Sequence, residues 1–255
     1  MSVVVLNGAS RGIGLALARH FLANTQLSVV TTARNSPNNA ESDRRWTHLS
    51  TDLTNEQSVK TTASAIKDQF GANSIAAVVN VAGYLQPEKS IAAVTPENLQ
   101  AHFNINVVAP ALAAKHMSPL LFHPARARSS LLSPAPILPF KHLPIWANMS
   151  ARVGSIGDNR LGGWYSYRMS KSAQNQLTKS LSIELGLASK RDAVVVALHP
   201  GTVRTDLSSP FIGSVAPAKL FTPEDAAAKL FAVLVSLKKE DNGRFLDYAG
   251  RDIVW

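Results

Sequence analysis

The chain contains no cysteine, which excludes disulfide staples, zinc–thiolate sites and thiol nucleophiles outright. It also lacks any apolar run approaching the roughly 18 residues needed to cross a bilayer. The opening MSVVVLNGAS has no basic stretch, extended apolar region or cleavage site of a secretory signal and reads instead as a buried strand, so the expected location is cytoplasmic. Basic runs are missing too. The formal charge is +9, but the cations are spread along the chain and stop at pairs such as Arg44-Arg45 and Lys238-Lys239, with no interleaved aromatics. That argues against a nucleic-acid or membrane partner and leaves part of the charge to serve an anionic cofactor. No two of the seven histidines have metal-ligand spacing, so no metal site is expected.

What is present is an alternation. Continuous apolar, β-branched runs occur at 3–7, 28–33, 76–82, 144–150 and 193–198, too unbroken for strands with one wet face. Between them lie helix-length stretches with apolar residues at three-to-four spacing, among them 96–117 and 166–188. The pattern predicts one α/β domain over 1–255, a doubly wound Rossmann domain with a mostly parallel seven-stranded sheet flanked by helices. Thr54 and Thr222 stand where helix N-caps belong, predicting helices that start near 55 and 223. The proline-rich stretch 118–144 forbids a regular helix and reads as a surface loop. No internal repeat is evident.

After the first run comes NGASRGIG, which sets Gly8, Gly12 and Gly14 with Ser10, Arg11 and Ile13 at a strand-to-helix turn. Missing side chains there let backbone amides approach a pyrophosphate at a helix N-terminus. The second strand ends in Ala33-Arg34, where an NAD enzyme would carry an acid for the ribose hydroxyls. Arg34, with Arg11, instead offers guanidinium groups to a 2′-phosphate, which points to NADP(H). Asp52-Leu53, placed at the end of the third strand, pairs a carboxylate for the adenine amino group with an apolar contact for its ring. Asn80, Val81, Ala82 and Gly83 let the chain after the fourth strand pass close to a cofactor.

In YSYRMSKSA, Tyr167 and Lys171 are four residues apart and share a helix face. An ammonium beside a phenol favours phenolate, so this pair can exchange a proton with a substrate oxygen near neutral pH.

The ordered set Gly8/Gly12/Gly14, Asp52, Asn80-Val81-Ala82-Gly83, Asn106, Tyr167/Lys171 and Pro200-Gly201 resembles the short-chain dehydrogenases/reductases over essentially the whole chain. Residues 148–185 are similar to the subgroup that holds sniffer-type carbonyl reductases and C-factor proteins. The resemblance implies an NADP(H)-dependent carbonyl or alcohol oxidoreductase assembled as a homodimer or homotetramer through the helices carrying Asn106 and Tyr167. Tyr167 would be the acid/base. Lys171 would bind the nicotinamide ribose and tune Tyr167, and Asn106 would bend its helix to hold a relay water. Val203 would meet the carboxamide, with Thr202 or Thr205 near the nicotinamide side and phosphates. Asn80 would lie by the adenosine ribose. The stretch 206–222 would shape the substrate site.

One departure stands out. Such proteins have Ser-Ser after the fifth strand, the second serine polarising the carbonyl, whereas this chain has Ser150-Ala151. Either Ser150 serves through a shifted register, or Ser155 or a backbone donor replaces it, or the site is impaired; Ser150 is the favoured expectation. The rival from another class is an NADP-binding sensor or signalling module with little turnover.

Overall fold

A computed structural model describes residues 2–37, 43–123, 143–187, 191–210, 212–214, 216 and 219–255. Most of the proline-rich stretch 118–144, and part of 206–222, lie outside the described residues.

The elements in chain order are β1 (Val3–Asn7), α1 (Gly12–Asn24), β2 (Ser28–Ala33), β3 (Trp46–Ser50), α2 (Glu56–Phe70), β4 (Ile75–Asn80), α3 (Pro96–Phe103), α4 (Ala109–Met117), β5 (Ile145–Met149), α5 (Tyr165–Leu185), β6 (Val194–His199), β7 (Thr202–Val203), β8 (Leu220–Phe221), α6 (Pro223–Ser236) and β9 (Phe245–Asp247). Seven strands form one sheet in the order β3-β2-β1-β4-β5-β6-β9, every pairing parallel. β7 and β8 form a separate two-stranded parallel pair.

The unbroken apolar runs have their reason in this layering. Along β1, Val4 and Leu6 point into a core with Leu17 and Phe21 of α1 and Leu230 and Leu234 of α6. Val3 and Val5 point the opposite way, onto Val59 and Ile66 of α2, Met117 of α4 and Leu185 of α5. Both pleat faces are therefore dry, as a parallel sheet covered by crossover helices requires. The chain winds outward from β1 to β3 and then returns to β4 beside β1, so a crevice opens where the order reverses, beyond the carboxyl ends of β1 and β4.

Two local expectations are corrected. β3 ends at Ser50, so Asp52 and Leu53 belong to the turn that follows and not to the strand. The cap of α2 is Asn55, whose side chain accepts from the Ser58 amide at 3.0 Å. Thr54 stands one residue before that cap, and its hydroxyl donates to Asp52 Oδ1 at 2.7 Å. Thr222 does cap α6, accepting from the Asp225 amide at 3.0 Å.

Candidate active site

The glycine turn is held open by backbone geometry. Gly8 has φ of +86°, and a Cβ there would sit 2.5 Å from the backbone of Ala82, so only glycine lets the ends of β1 and β4 approach this closely. A Cβ on Gly14 would lie 2.5 Å from the Gly8 carbonyl, which fixes α1 tightly against the turn. Gly12 is different: with φ of +55°, a Cβ there would press on the Thr205 side chain, with Cγ2 at 3.3 Å, so the first turn of α1 packs close to Thr205. Arg11 caps α1 with extended backbone and no capping hydrogen bond from its side chain, so the first-turn amides keep their donors for an anion. Ser10 is half-buried in the turn, and Ile13, Gly83, Pro200, Gly201, Val203 and Thr205 come together around the adjoining cleft of about 480 Å³.

Arg34 is exposed just past β2, beside Asp52. Arg11 reaches across to Asp206 at 2.9 Å, linking the glycine turn to the start of the 206–222 stretch. The Asp52 carboxylate accepts from the hydroxyl and the amide of Thr54, which hold it below the usual carboxylate range, with Arg34 adding to the effect. Leu53 does not present itself to a ligand; it is buried in the core with Val59 and Ile66.

Asn80 has its side chain inside the sheet. It is 3% exposed, and its side chain belongs to a ladder across the sheet. Thr32 Oγ1 donates to Asn7 Oδ1, Asn7 Nδ2 to Asn80 Oδ1, and Asn80 Nδ2 to Asn148 Oδ1, each at 2.7 Å. Asn148 Nδ2 then donates to Thr178 Oγ1 of α5 at 2.9 Å. The register Asn7↔Asn80↔Asn148 puts the three amides side by side, and a buried amide must find partners. The ladder ties the strand ends to α5.

Gly162, Gly163 and Trp164 take three successive left-handed conformations and turn the chain sharply into α5. The buried Glu88 carboxylate pins the start of that helix, accepting from the amide of Ser166 at 3.0 Å and from its hydroxyl. In the first turn of α5 stands Tyr167, only 6% exposed, with His102 and Trp164 rings against it. The Lys171 ammonium lies 5.8 Å from the Tyr167 ring centre. It donates to the Met149 carbonyl at 2.7 Å and to Gln174 Oε1 at 2.9 Å. Gln174 was not singled out from the sequence, although its position three residues after Lys171 was the available signal.

Burial lowers Lys171 to about 7. The same burial pushes the Tyr167 phenol up, against the expectation that the neighbouring ammonium would lower it. Desolvation penalises phenolate and ammonium alike, and here it outweighs their attraction.

Asn106 sits in a π-helical turn, Asn104–Val108, between α3 and α4, so the helix is distorted at this residue. Its side chain accepts from the Tyr84 amide and donates to the Tyr84 carbonyl and to Ser170 Oγ, all at 2.9 Å. It thereby fastens the segment after β4 to α5. Ser150 lines the cleft, but its hydroxyl donates to Asn175 Oδ1 at 2.6 Å. Its one proton is committed to α5, so the favoured expectation that Ser150 polarises the substrate does not fit the geometry. Ala151, extended and half-buried, occupies the next cleft position.

A parallel doubly wound sheet, a glycine turn at its switch point and a Tyr-x-x-x-Lys pair facing the same cleft define a class, and the short chain dehydrogenase model matches residues 2–130. The chain belongs to the short-chain dehydrogenase family of oxidoreductases. It superposes on the carbonyl reductase Sniffer of D. melanogaster with a TM-score of 0.84 and 30% identity, covering 100% of this chain and 99% of that one. The NADPH-bound carbonyl reductase from chicken fatty liver gives a TM-score of 0.80 and 26% identity over 100% of both chains. In sequence, the chain is 28% identical over 255 residues, all of both proteins, to the 1-hydroxy-2-glutathionyl-2-methyl-3-butene dehydrogenase of Rhodococcus sp. (strain AD45).

Proposed function

We propose that the protein is an NADPH-dependent reductase of aldehydes or ketones, and the observation that carries this reading is the Tyr167–Lys171 pair at a cleft continuous with the glycine turn. The residues fit such a cofactor. The glycine turn and the uncapped first turn of α1 suit a pyrophosphate, and Arg34 beside Asp52 suits a 2′-phosphate. When bound, the nicotinamide supplies hydride to the carbonyl carbon.

The chain's own task is to orient the carbonyl and give its oxygen a proton. Burial keeps Tyr167 protonated, the form that reduction consumes. Lys171, fixed by Met149 O and Gln174, sits where its charge steadies the phenolate left behind. Leu85, Met149, Val153 and Trp164 make much of the cleft wall apolar, which supports a hydrophobic or mixed substrate. The exposed Val108, Met169 and Ile183 on the helical run of Asn106 and on α5 support a homo-oligomer through those helices. Among the described residues, no helix is long and apolar enough to cross a membrane.

The committed hydroxyl of Ser150 and the methyl of Ala151 favour one second reading, an NADP-binding module with little turnover. NADPH oxidation over a panel of aliphatic and aromatic aldehydes and ketones separates the two. Turnover on at least one compound is expected. Tight NADPH binding with no turnover on any would replace the enzyme with the sensor.

A further inference from the structure

Gln174 is wholly buried on α5, yet its Nε2 has no hydrogen-bond partner among the described residues. A buried amide with an idle donor is a worse core residue than leucine, so its presence calls for a reason. The reason lies at its other atom, which accepts from Lys171 Nζ at 2.9 Å. An ammonium has three donors. Two are fixed here, to Met149 O and to Gln174 Oε1, and tetrahedral geometry then fixes the direction of the third.

We propose that Gln174 is a positioning residue, whose side-chain carbonyl holds the Lys171 ammonium so that its remaining N–H serves Tyr167 and the cleft. The amide cannot turn over while Lys171 is charged, because Nε2 would then face another donor. When Lys171 is neutral, a half-turn of the amide would offer Nε2–H to the amine lone pair. Gln174 thus satisfies Lys171 in both charge states and favours the charged one in the orientation observed.

Other charged and titratable groups share this environment: Tyr167 and Arg168 on α5, His102 on α3, Arg152 and Asp158 after β5, and His199 at the end of β6. Gln174→Leu leaves all of them in place, so a change in Lys171 reports the amide alone. Removing an acceptor of the ammonium lowers the lysine's pKa.

The inference rests on Tyr167 and Lys171 being the proton-transfer pair, but its first readout does not. Lysine labelled with ¹³C in the full chain, without cofactor or substrate, gives the Lys171 titration directly, assigned by its loss in Lys171→Met. Gln174→Leu is expected to shift that titration down by about one unit, and Gln174→Glu to shift it up. In turnover, the alkaline limb of kcat should move to lower pH in Gln174→Leu and be restored in Gln174→Glu, while KM changes by less than about twofold. An unmoved Lys171 titration in Gln174→Leu, with Tm preserved, overturns the proposal. If Gln174→Leu does not fold, an unmoved titration in Gln174→Glu overturns it equally. Absence of turnover in the unmodified protein would instead defeat the reductase reading and leave the titration to decide the role of Gln174.

Discussion

The Ser150 hydroxyl donates to Asn175 Oδ1 at 2.6 Å, and Asn175 in turn donates to the Gly154 carbonyl at 3.1 Å. These bonds join the end of β5 and the turn after it to α5, so Ser150 acts as a strut. Ser150→Ala should lower stability by about 1–2 kcal/mol while kcat changes by less than about threefold. Ala151→Ser, which adds a hydroxyl at the next cleft position, should raise kcat about tenfold or more. Thermal melts and steady-state kinetics on one substrate check both; a hundredfold loss of kcat in Ser150→Ala would return the carbonyl-polarising role to that residue.

With Ala33 where an acid would repel a 2′-phosphate and Arg34 exposed beside it, NADPH should bind at least tenfold tighter than NADH, about 1.4 kcal/mol. Ala33→Asp combined with Arg34→Ala should reverse the order. Fluorescence titration of both cofactors measures it, and equal affinities in the unmodified protein would remove Arg34 from the site.

Tyr167→Phe keeps the buried ring but removes the proton donor. We expect kcat to fall by roughly 10² to 10⁴ with NADPH affinity retained. Near-normal turnover in this variant would mean that another group protonates the substrate oxygen.

His199, at the end of β6, is lowered to about 4, chiefly by burial and further by Arg152, with Asp247 opposing. Its folded value lies below the unfolded one near 6.5, so the unfolded chain takes up a proton first as pH falls. The stability contributed by a neutral His199 is present above about 6.5 and is lost towards pH 4, a difference of about 2–3 kcal/mol. The decline in Tm between pH 7 and 4 should therefore be shallower in His199→Gln. Parallel pH profiles in the two proteins would show that carboxylates alone set the acid limit.

The layering and the Tyr-x-x-x-Lys pairing were legible in the amino-acid letters alone. Buried strands need unbroken apolar runs, a strand-to-helix turn at positive φ needs Gly8, and Tyr167 and Lys171 share a face because a helix repeats every 3.6 residues. All of these are local constraints, written in neighbouring letters. Which polar side chains are free emerges only once the sheet and helices have packed. Asn80 reads as a ligand-facing residue until the strand register sets it between Asn7 and Asn148. Leu53 reads as an adenine contact until it packs with Val59 and Ile66, and Ser150 as a catalytic donor until Asn175 Oδ1 accepts its hydrogen bond. Gln174 shows the converse, an unremarkable letter that reaches Lys171 only because both are buried on one turn of α5. Hydrogen-bond partners 25 to 73 residues away leave no trace in a local pattern, since burial makes them obligatory only after the sheet has closed.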